Sequence, residues 1–131
     1  MIKTKKRPFV AIIIVNLNKK EILKKCLDSL YKKTKYKNYV VIVSDNGSTD
    51  GSVEMIKKEF KRVDLIENRK NLGFALANNV AVDYALRKYN PDYFFLLNND
   101  TKIIQKDWLT KLVETAESDE RIGIVGCNLI Y

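Results

Sequence analysis

The sequence predicts a three-layer α/β domain: a mostly parallel, Rossmann-like sheet flanked by helices. Three observations carry the prediction. Apolar β-branched runs alternate with segments whose apolar residues recur at helical spacing. The connections are short, which for parallel neighbours implies right-handed crossovers through the helices. Three of the predicted strands also end in stretches rich in Asp and Asn, and sheets of this kind bind ligands beyond the carboxyl ends of their strands. At 131 residues, 46% hydrophobic and 31% charged, the chain has the size and composition of one globular domain.

Residues 9–16 (FVAIIIVN) form a continuous apolar run, the mark of a strand buried on both faces. Asn18 with Glu21 three residues on reads as a capping box, opening a helix to about Lys33 whose stripe is Ile22, Leu23, Cys26, Leu27, Leu30 and Tyr31. Residues 39–44 (YVVIVS) are a second buried strand, followed by the polar turn DNGSTDGS over residues 45–52. Asp50 is placed to cap the next helix, which shows Val53, Ile56 and Phe60. A short strand at residues 63–67 leads to a helix over residues 74–88, with Ala77, Val80, Ala81, Tyr84 and Ala85 inward and Asn90-Pro91 as its stop. Residues 93–97 are a fourth strand and residues 107–117 a fourth helix. A fifth strand is expected to begin over residues 122–131.

The charge is lopsided. Residues 1–40 hold twelve of the 24 Lys and Arg but only two of the 16 acids, Glu21 and Asp28. Most of these lysines lie outside the apolar stripe of the first helix, so the excess reads first as a solvated helix face and second as a peripheral contact with anionic membrane. No aromatic stacking pattern or base-reading motif accompanies it, which argues against nucleic acid. The absence of His excludes an imidazole base, a His-containing metal site and a Ser-His-Asp triad. Two cysteines, Cys26 and Cys127, are too few for a disulfide scaffold. No apolar run approaches the ~20 residues that span a bilayer, and none carries a signal-cleavage pattern; from the sparse cysteines a reducing, cytoplasmic setting is expected.

The polar strand ends suggest chemistry. Asp45, directly after a buried strand, could accept hydrogen bonds from a base or ribose; as part of Asp45–Ser52 it could equally belong to an ordinary turn. Asn98, Asn99 and Asp100 put oxygen ligands on a tight turn, which suits Mg²⁺ or Mn²⁺ provided substrate oxygens complete the shell; another Asx-rich turn is the alternative. Between them, residues 68–79 (NRKNLGFALANN) join Arg69 and Lys70 to Gly73 and a helix start, an arrangement suited to a diphosphate. The chain has neither a G-x-G-x-x-G after the first strand nor a G-x-x-x-x-G-K-[ST].

Taken in order, VAIIIVNLN, ILKKCLDSL, VVIVSDNGSTDGS, LIENRKNLGFALANN and YFFLLNNDT resemble the nucleotide-binding half of the inverting glycosyltransferase family 2, on the GT-A fold. The similarity runs from Phe9 to Tyr131, and the NND form of residues 98–100 resembles the variant frequent among rhamnosyltransferase-like members. It implies a basic tail over residues 1–8 and a nucleotide-sugar-binding domain over residues 9–131, with the acceptor half absent. It also implies a hexosyl-transferring enzyme (EC 2.4) of cell-surface polysaccharide synthesis, using a UDP- or dTDP-sugar donor, Mg²⁺ or Mn²⁺, and a glycan or lipid-linked sugar as acceptor. By resemblance, Asn16 lines the nucleoside pocket and Asp45 contacts the pyrimidine. Asn71, Gly73, Phe74 and Asn78 close over nucleotide and diphosphate. Asn98 and Asp100 hold the metal, and Asn99 faces ribose or sugar. Leu17 stands where the family usually has Tyr, Asn98 replaces an Asp, and Ala75-Leu76-Ala77 replaces a Gly-rich run.

The catalytic base of the family lies beyond the metal motif, so none is assigned, and the isolated chain is expected to lack transferase activity. Two other readings stay open. A sugar nucleotidyltransferase would share the layout, but needs a Gly-rich loop after the first strand where this chain has VNLNKKE. A basic, non-catalytic docking module would bind anionic vesicles and no nucleotide. An unpaired sheet edge and apolar residues 124–131 are expected to favour self-association.

Overall fold

The computed structural model describes residues 7–130. Eight elements alternate along it: β1 (Val10–Asn16), α1 (Lys20–Lys33), β2 (Tyr39–Asp45), α2 (Ser52–Glu59), β3 (Val63–Glu67), α3 (Phe74–Lys88), β4 (Tyr93–Leu96) and α4 (Trp108–Glu117). The strands form one sheet in the order β3-β2-β1-β4, every pair parallel. The chain starts at β1 and moves through β2 to β3. It then returns across the sheet to add β4 on the other side of β1, so the winding reverses between β1 and β4. In an open α/β sheet that reversal opens a crevice beyond the strand ends.

Side-chain alternation explains the layers. Val10, Ile12 and Ile14 of β1 join Val41 and Val43 of β2 in a core with Leu23, Leu27 and Leu30 of α1, Ile56 of α2 and Leu109 of α4. The intervening Ala11, Ile13 and Ile42 face the opposite side and meet Ala81 and Ala85 of α3. Alanines at i and i+4 on the inner face of α3 let that helix approach the sheet closely. β4 lies outside this cover: Phe94 and Leu96, level with Ala11 and Ile13, are exposed.

The structure corrects two sequence expectations. The fifth strand does not form: residues 122–130 have no strand partner, with Ile124, Leu129 and Ile130 exposed. Apolar content alone does not make a strand, and here no ladder satisfies its backbone. Nor does Asn18 build a capping box. It adopts the left-handed region (φ 55) and its Oδ1 accepts from the Thr49 amide at 2.9 Å. The free amide of Lys20 is instead met by Asp50 Oδ2 at 2.8 Å, from the next loop. Asp50 also accepts from the Ser52 amide at 3.0 Å, so one carboxylate ties the starts of α1 and α2 together. Burial pushes the Asp50 carboxyl up, but hydrogen bonds from the Ser52 hydroxyl and the Lys20 and Ser52 amides outweigh it and hold the group below its usual range.

Of the basic tail, residues 1–6 lie outside the described residues. Arg7 and Pro8 are anchored: Asn38 Nδ2 donates to the Arg7 carbonyl at 2.6 Å, and the Tyr36 hydroxyl donates to the Pro8 carbonyl. The solvent side of α1 is mixed in sign. Glu21, Lys25, Asp28 and Lys32 share one helical arc, and Lys24 pairs with Glu59 at 2.7 Å. Among the described residues no helix is long and apolar enough to cross a membrane.

At the β3 edge, Asp64 Oδ2 accepts from Tyr89 Oη at 2.7 Å, Tyr84 Oη at 2.8 Å and Lys88 Nζ at 3.1 Å, clamping the end of α3 to the sheet. Burial alone would raise its pKa, but the two hydroxyl donors and the ammonium outweigh it and lower it. A depressed carboxyl contributes stability above its unfolded pKa that is lost as pH falls through the folded value. Asp64→Asn is therefore expected to lower stability at pH 7 and to flatten the loss of stability below about pH 4, read by urea denaturation across that range.

Candidate functional site

Three strand ends converge where the winding reverses. Register sets Asn16 level with Asp45 and Asp45 level with Glu67. Since Ile13 pairs with Leu96, three residues further on each strand bring Asn99 beside Asn16. The side chains complete the junction: Asn99 Nδ2 donates to Asn16 Oδ1 at 3.0 Å, and Asn16 Nδ2 donates to Asp45 Oδ1 at 3.1 Å. The predicted nucleoside and metal turns are thus joined through two hydrogen bonds.

Asp45 is nearly sealed, at 1% exposure. Its Oδ2 accepts from the Ser48 amide at 2.8 Å and the Gly47 amide at 3.2 Å, while Oδ1 accepts from Ser48 Oγ at 2.6 Å as well as from Asn16. It is both a strand end and the anchor of the Asx-type turn that follows. A hollow of about 200 Å³ opens beside it, lined by Asp45, Gly47, Ser48, Val53, Glu67 and Arg69. A larger shallow hollow of about 360 Å³ lies along α3 and β3, lined by Ile66, Val80, Asp83, Tyr84, Arg87 and Lys88, and includes none of the predicted site residues.

Gly47 has φ +84, and a Cβ there would sit 3.0 Å from the backbone nitrogen of Lys70 and 3.1 Å from the Arg69 carbonyl carbon. Its lack of a side chain lets the turn after β2 lie against the loop after β3. Gly47→Ala is expected to cost about 2–3 kcal/mol from the left-handed backbone and the contact with unyielding main chain, measured as a shift in denaturation midpoint.

Residues sequence reasoning passed over hold that second loop. Asn68 Nδ2 donates to Ser44 Oγ at 2.9 Å and to Asn46 Oδ1 at 3.0 Å. Asn46 Nδ2 in turn donates to the Gly73 carbonyl at 3.1 Å and to Asn71 Oδ1 at 3.3 Å. Asn71 Oδ1 also accepts from the Gly73 amide at 2.9 Å. The available signal was the recurrence of Asn at each strand end. Gly73 itself has φ +78 and ψ 177, backbone open essentially to glycine alone. Phe74 is exposed at the start of α3. Asn78 is buried, and its amide donates to the Phe74 carbonyl at 3.0 Å within the helix. Asn71 and Gly73 are thus tied through Asn46 to the turn after β2, whereas Asn78 Nδ2 donates within its own helix.

The turn at residues 98–101 is closed by the Thr101 amide on the Asn98 carbonyl at 3.1 Å. From beneath, Cys26 Sγ contacts that carbonyl at 3.8 Å and Ser29 Oγ accepts from the Ile103 amide at 3.0 Å. Burial pushes the Cys26 thiol up to about 12, so it is an inert packing group. Asn98 and Asp100 are exposed, and among the described residues neither side chain has a hydrogen-bond partner. One carboxylate with amide oxygens on a tight turn fits a hard cation that draws further oxygens from a ligand. The described residues hold no cluster of three or more His, Cys, Asp or Glu that could bind a metal by themselves.

Residues 11–131 match the family described as "Glycosyl transferase family 2". The chain belongs to glycosyltransferase family 2. Among curated members, the O-antigen biosynthesis protein RfbC of Myxococcus xanthus is 27% identical over 95% of this chain and 10% of its own length. The fold is a partial GT-A fold. It superimposes on a Pyrobaculum calidifontis mannosyltransferase in complex with GDP-Man and Mn²⁺ with a TM-score of 0.75, at 24% identity, over 86% of this chain and 33% of that one. S. aureus TarS 1–349 in complex with UDP gives 0.69 at 20% identity, over 84% and 32%. The chain spans well under half the length of the family 2 relatives it matches.

Proposed function

We propose that this chain is the donor-binding part of an inverting glycosyltransferase, holding a nucleoside-diphosphate sugar across the carboxyl edge of the sheet. The observation that supports the reading is the Asn99–Asn16–Asp45 hydrogen-bonded junction, which links the hollow of about 200 Å³ beside Asp45 to the oxygen-rich turn at residues 98–100. The base occupies the hollow beside Asp45, with Glu67 and Arg69 at its rim. The diphosphate crosses toward residues 98–100, and Asn71, Gly73 and Phe74 border its path. Asp100, with Asn98, would hold Mg²⁺ or Mn²⁺, which supplies charge stabilisation to the departing diphosphate. The acceptor hydroxyl then displaces that diphosphate at the anomeric carbon in one step, its proton taken by a carboxylate.

The complexes of GT-A relatives with GDP-Man and with UDP support a nucleotide ligand, and Mn²⁺ in the first supports the cation. UDP or dTDP is the expected nucleotide. The NND form favours a rhamnose-type donor, and the likeness to an O-antigen protein favours a cell-surface glycan or lipid-linked sugar as acceptor. Exposed Phe94, Leu96 and Ile124 leave apolar surface suited to self-association. Calorimetry with UDP, dTDP and GDP, each with and without Mn²⁺, tests the reading. Metal-enhanced binding of a pyrimidine nucleotide is expected; absence of binding by all three would end it.

A further inference from the structure

The Asn16 amide is fully enclosed, at 0% exposure, and its orientation is forced. Its Nδ2 faces Asp45 Oδ1 at 3.1 Å and Ser48 Oγ at 3.3 Å. The carboxylate can only accept. The Ser48 hydroxyl has already given its proton to Asp45 Oδ1 at 2.6 Å, so toward Asn16 it too can only accept. Both neighbours on that side demand a donor, so the NH₂ group must face them and Oδ1 must face β4. Asn16 Oδ1 in turn demands a donor from Asn99, and Asn99 meets it with Nδ2 at 3.0 Å. The other end of the Asn99 amide, Oδ1, then points away from Asn16. It has no hydrogen-bond partner among the described residues, and Asn99 is half-buried between exposed Asn98 and Asp100.

We infer that Asn16 is a positioning residue that passes polarity from Asp45 to Asn99, so that residue 99 presents an acceptor oxygen to the ligand. Asn99 is thereby made selective for a hydroxyl donor and unable to donate to a phosphate or carbonyl in the same place. This deepens the nucleotide-binding reading above and rests on it. The ligand group it fits is a hydroxyl of the ribose. Asn16 itself touches no ligand, since both ends of its amide are used inside the protein.

The test compares UDP with 2′,3′-dideoxy-UDP at fixed Mn²⁺ by calorimetry, in the wild type and in Asn99→Ala, Asn16→Ala and the double variant. The wild type is expected to favour UDP by about tenfold, the scale of one hydrogen bond. Each single variant should bring that preference within about twofold, and the double should lose nothing more, because both act through one oxygen. Asn16→Asp adds a diagnostic pH dependence. Protonated, its carboxyl carries an O–H donor and a C=O acceptor like the amide; ionised, it faces Asp45 as a like charge, which raises its pKa. The preference should be present at pH 5 and absent at pH 8. An Asn16→Ala variant that keeps the wild-type preference would overturn the relay.

If the wild type binds neither nucleotide, the nucleotide reading fails, and the relay is judged in the ligand-free protein. The side-chain amide resonances of Asn99 should move toward solvent-exposed values in Asn16→Ala. Unchanged resonances would overturn the relay on their own.

Discussion

Asp45→Ala is expected to destabilise the protein by about 2–4 kcal/mol and to abolish nucleotide binding in whatever fraction remains folded. The carboxylate accepts from two amides, one hydroxyl and one carboxamide, and is almost wholly enclosed. Removing it leaves several donors without an acceptor, each costing about 1–3 kcal/mol when buried. Part of that cost is recovered because the adjoining hollow of about 200 Å³ admits water. Against a total stability of roughly 5–15 kcal/mol the loss is large. Urea denaturation reads it directly. Asp45→Asn separates charge from shape: an amide that keeps one oxygen must turn its NH₂ group toward at least one existing donor. It should recover less than half of the lost stability. A fully stable Asp45→Ala would show that the turn at Gly47–Ser48 does not depend on the carboxylate.

The same four bonds mark how far the sequence could be read. The sheet was legible because runs such as AIIIV and VVIVS leave little alternative to a strand buried on both faces, and the alanines of α3 announced a close-packed face. The convergence of strand ends followed from topology alone. Local polar chemistry was less legible, because Asn, Asp and Ser satisfy whichever backbone group tertiary structure brings near. Asn18 and Glu21 had the spacing of a capping box, yet Asn18 serves Thr49 and Lys20 is capped by Asp50, thirty residues away in sequence. Asn46 looked like an ordinary turn residue, and its bonds to Asn68 and Asn71 form only because the fold brings their loops together. Residues 122–130 failed differently: their apolar content was read as a strand, although a strand also requires a partner's backbone.

Asp100 should behave in the opposite way to Asp45. It is exposed and makes no hydrogen bond among the described residues, so Asp100→Ala is expected to leave stability within about 0.5 kcal/mol of the wild type. Its effect should fall on ligand binding that depends on the cation. The turn offers one carboxylate, and a hard divalent cation draws its affinity from charged oxygens, so removing that charge leaves only amide oxygens of low affinity. The enhancement of UDP binding by Mn²⁺ is expected to drop on the order of 100-fold, while binding without metal stays within about twofold of the wild type. The converse substitution sharpens the point. Asn98→Asp adds a second carboxylate to the same exposed turn, and should raise Mn²⁺ affinity without disturbing the amide chain through Asn99 and Asn16. Calorimetric titration of Mn²⁺ into each nucleotide complex measures both changes. If Asp100→Ala kept the full metal enhancement, the cation would have to be held elsewhere on the crevice, and the assignment of residues 98–100 as its turn would fall.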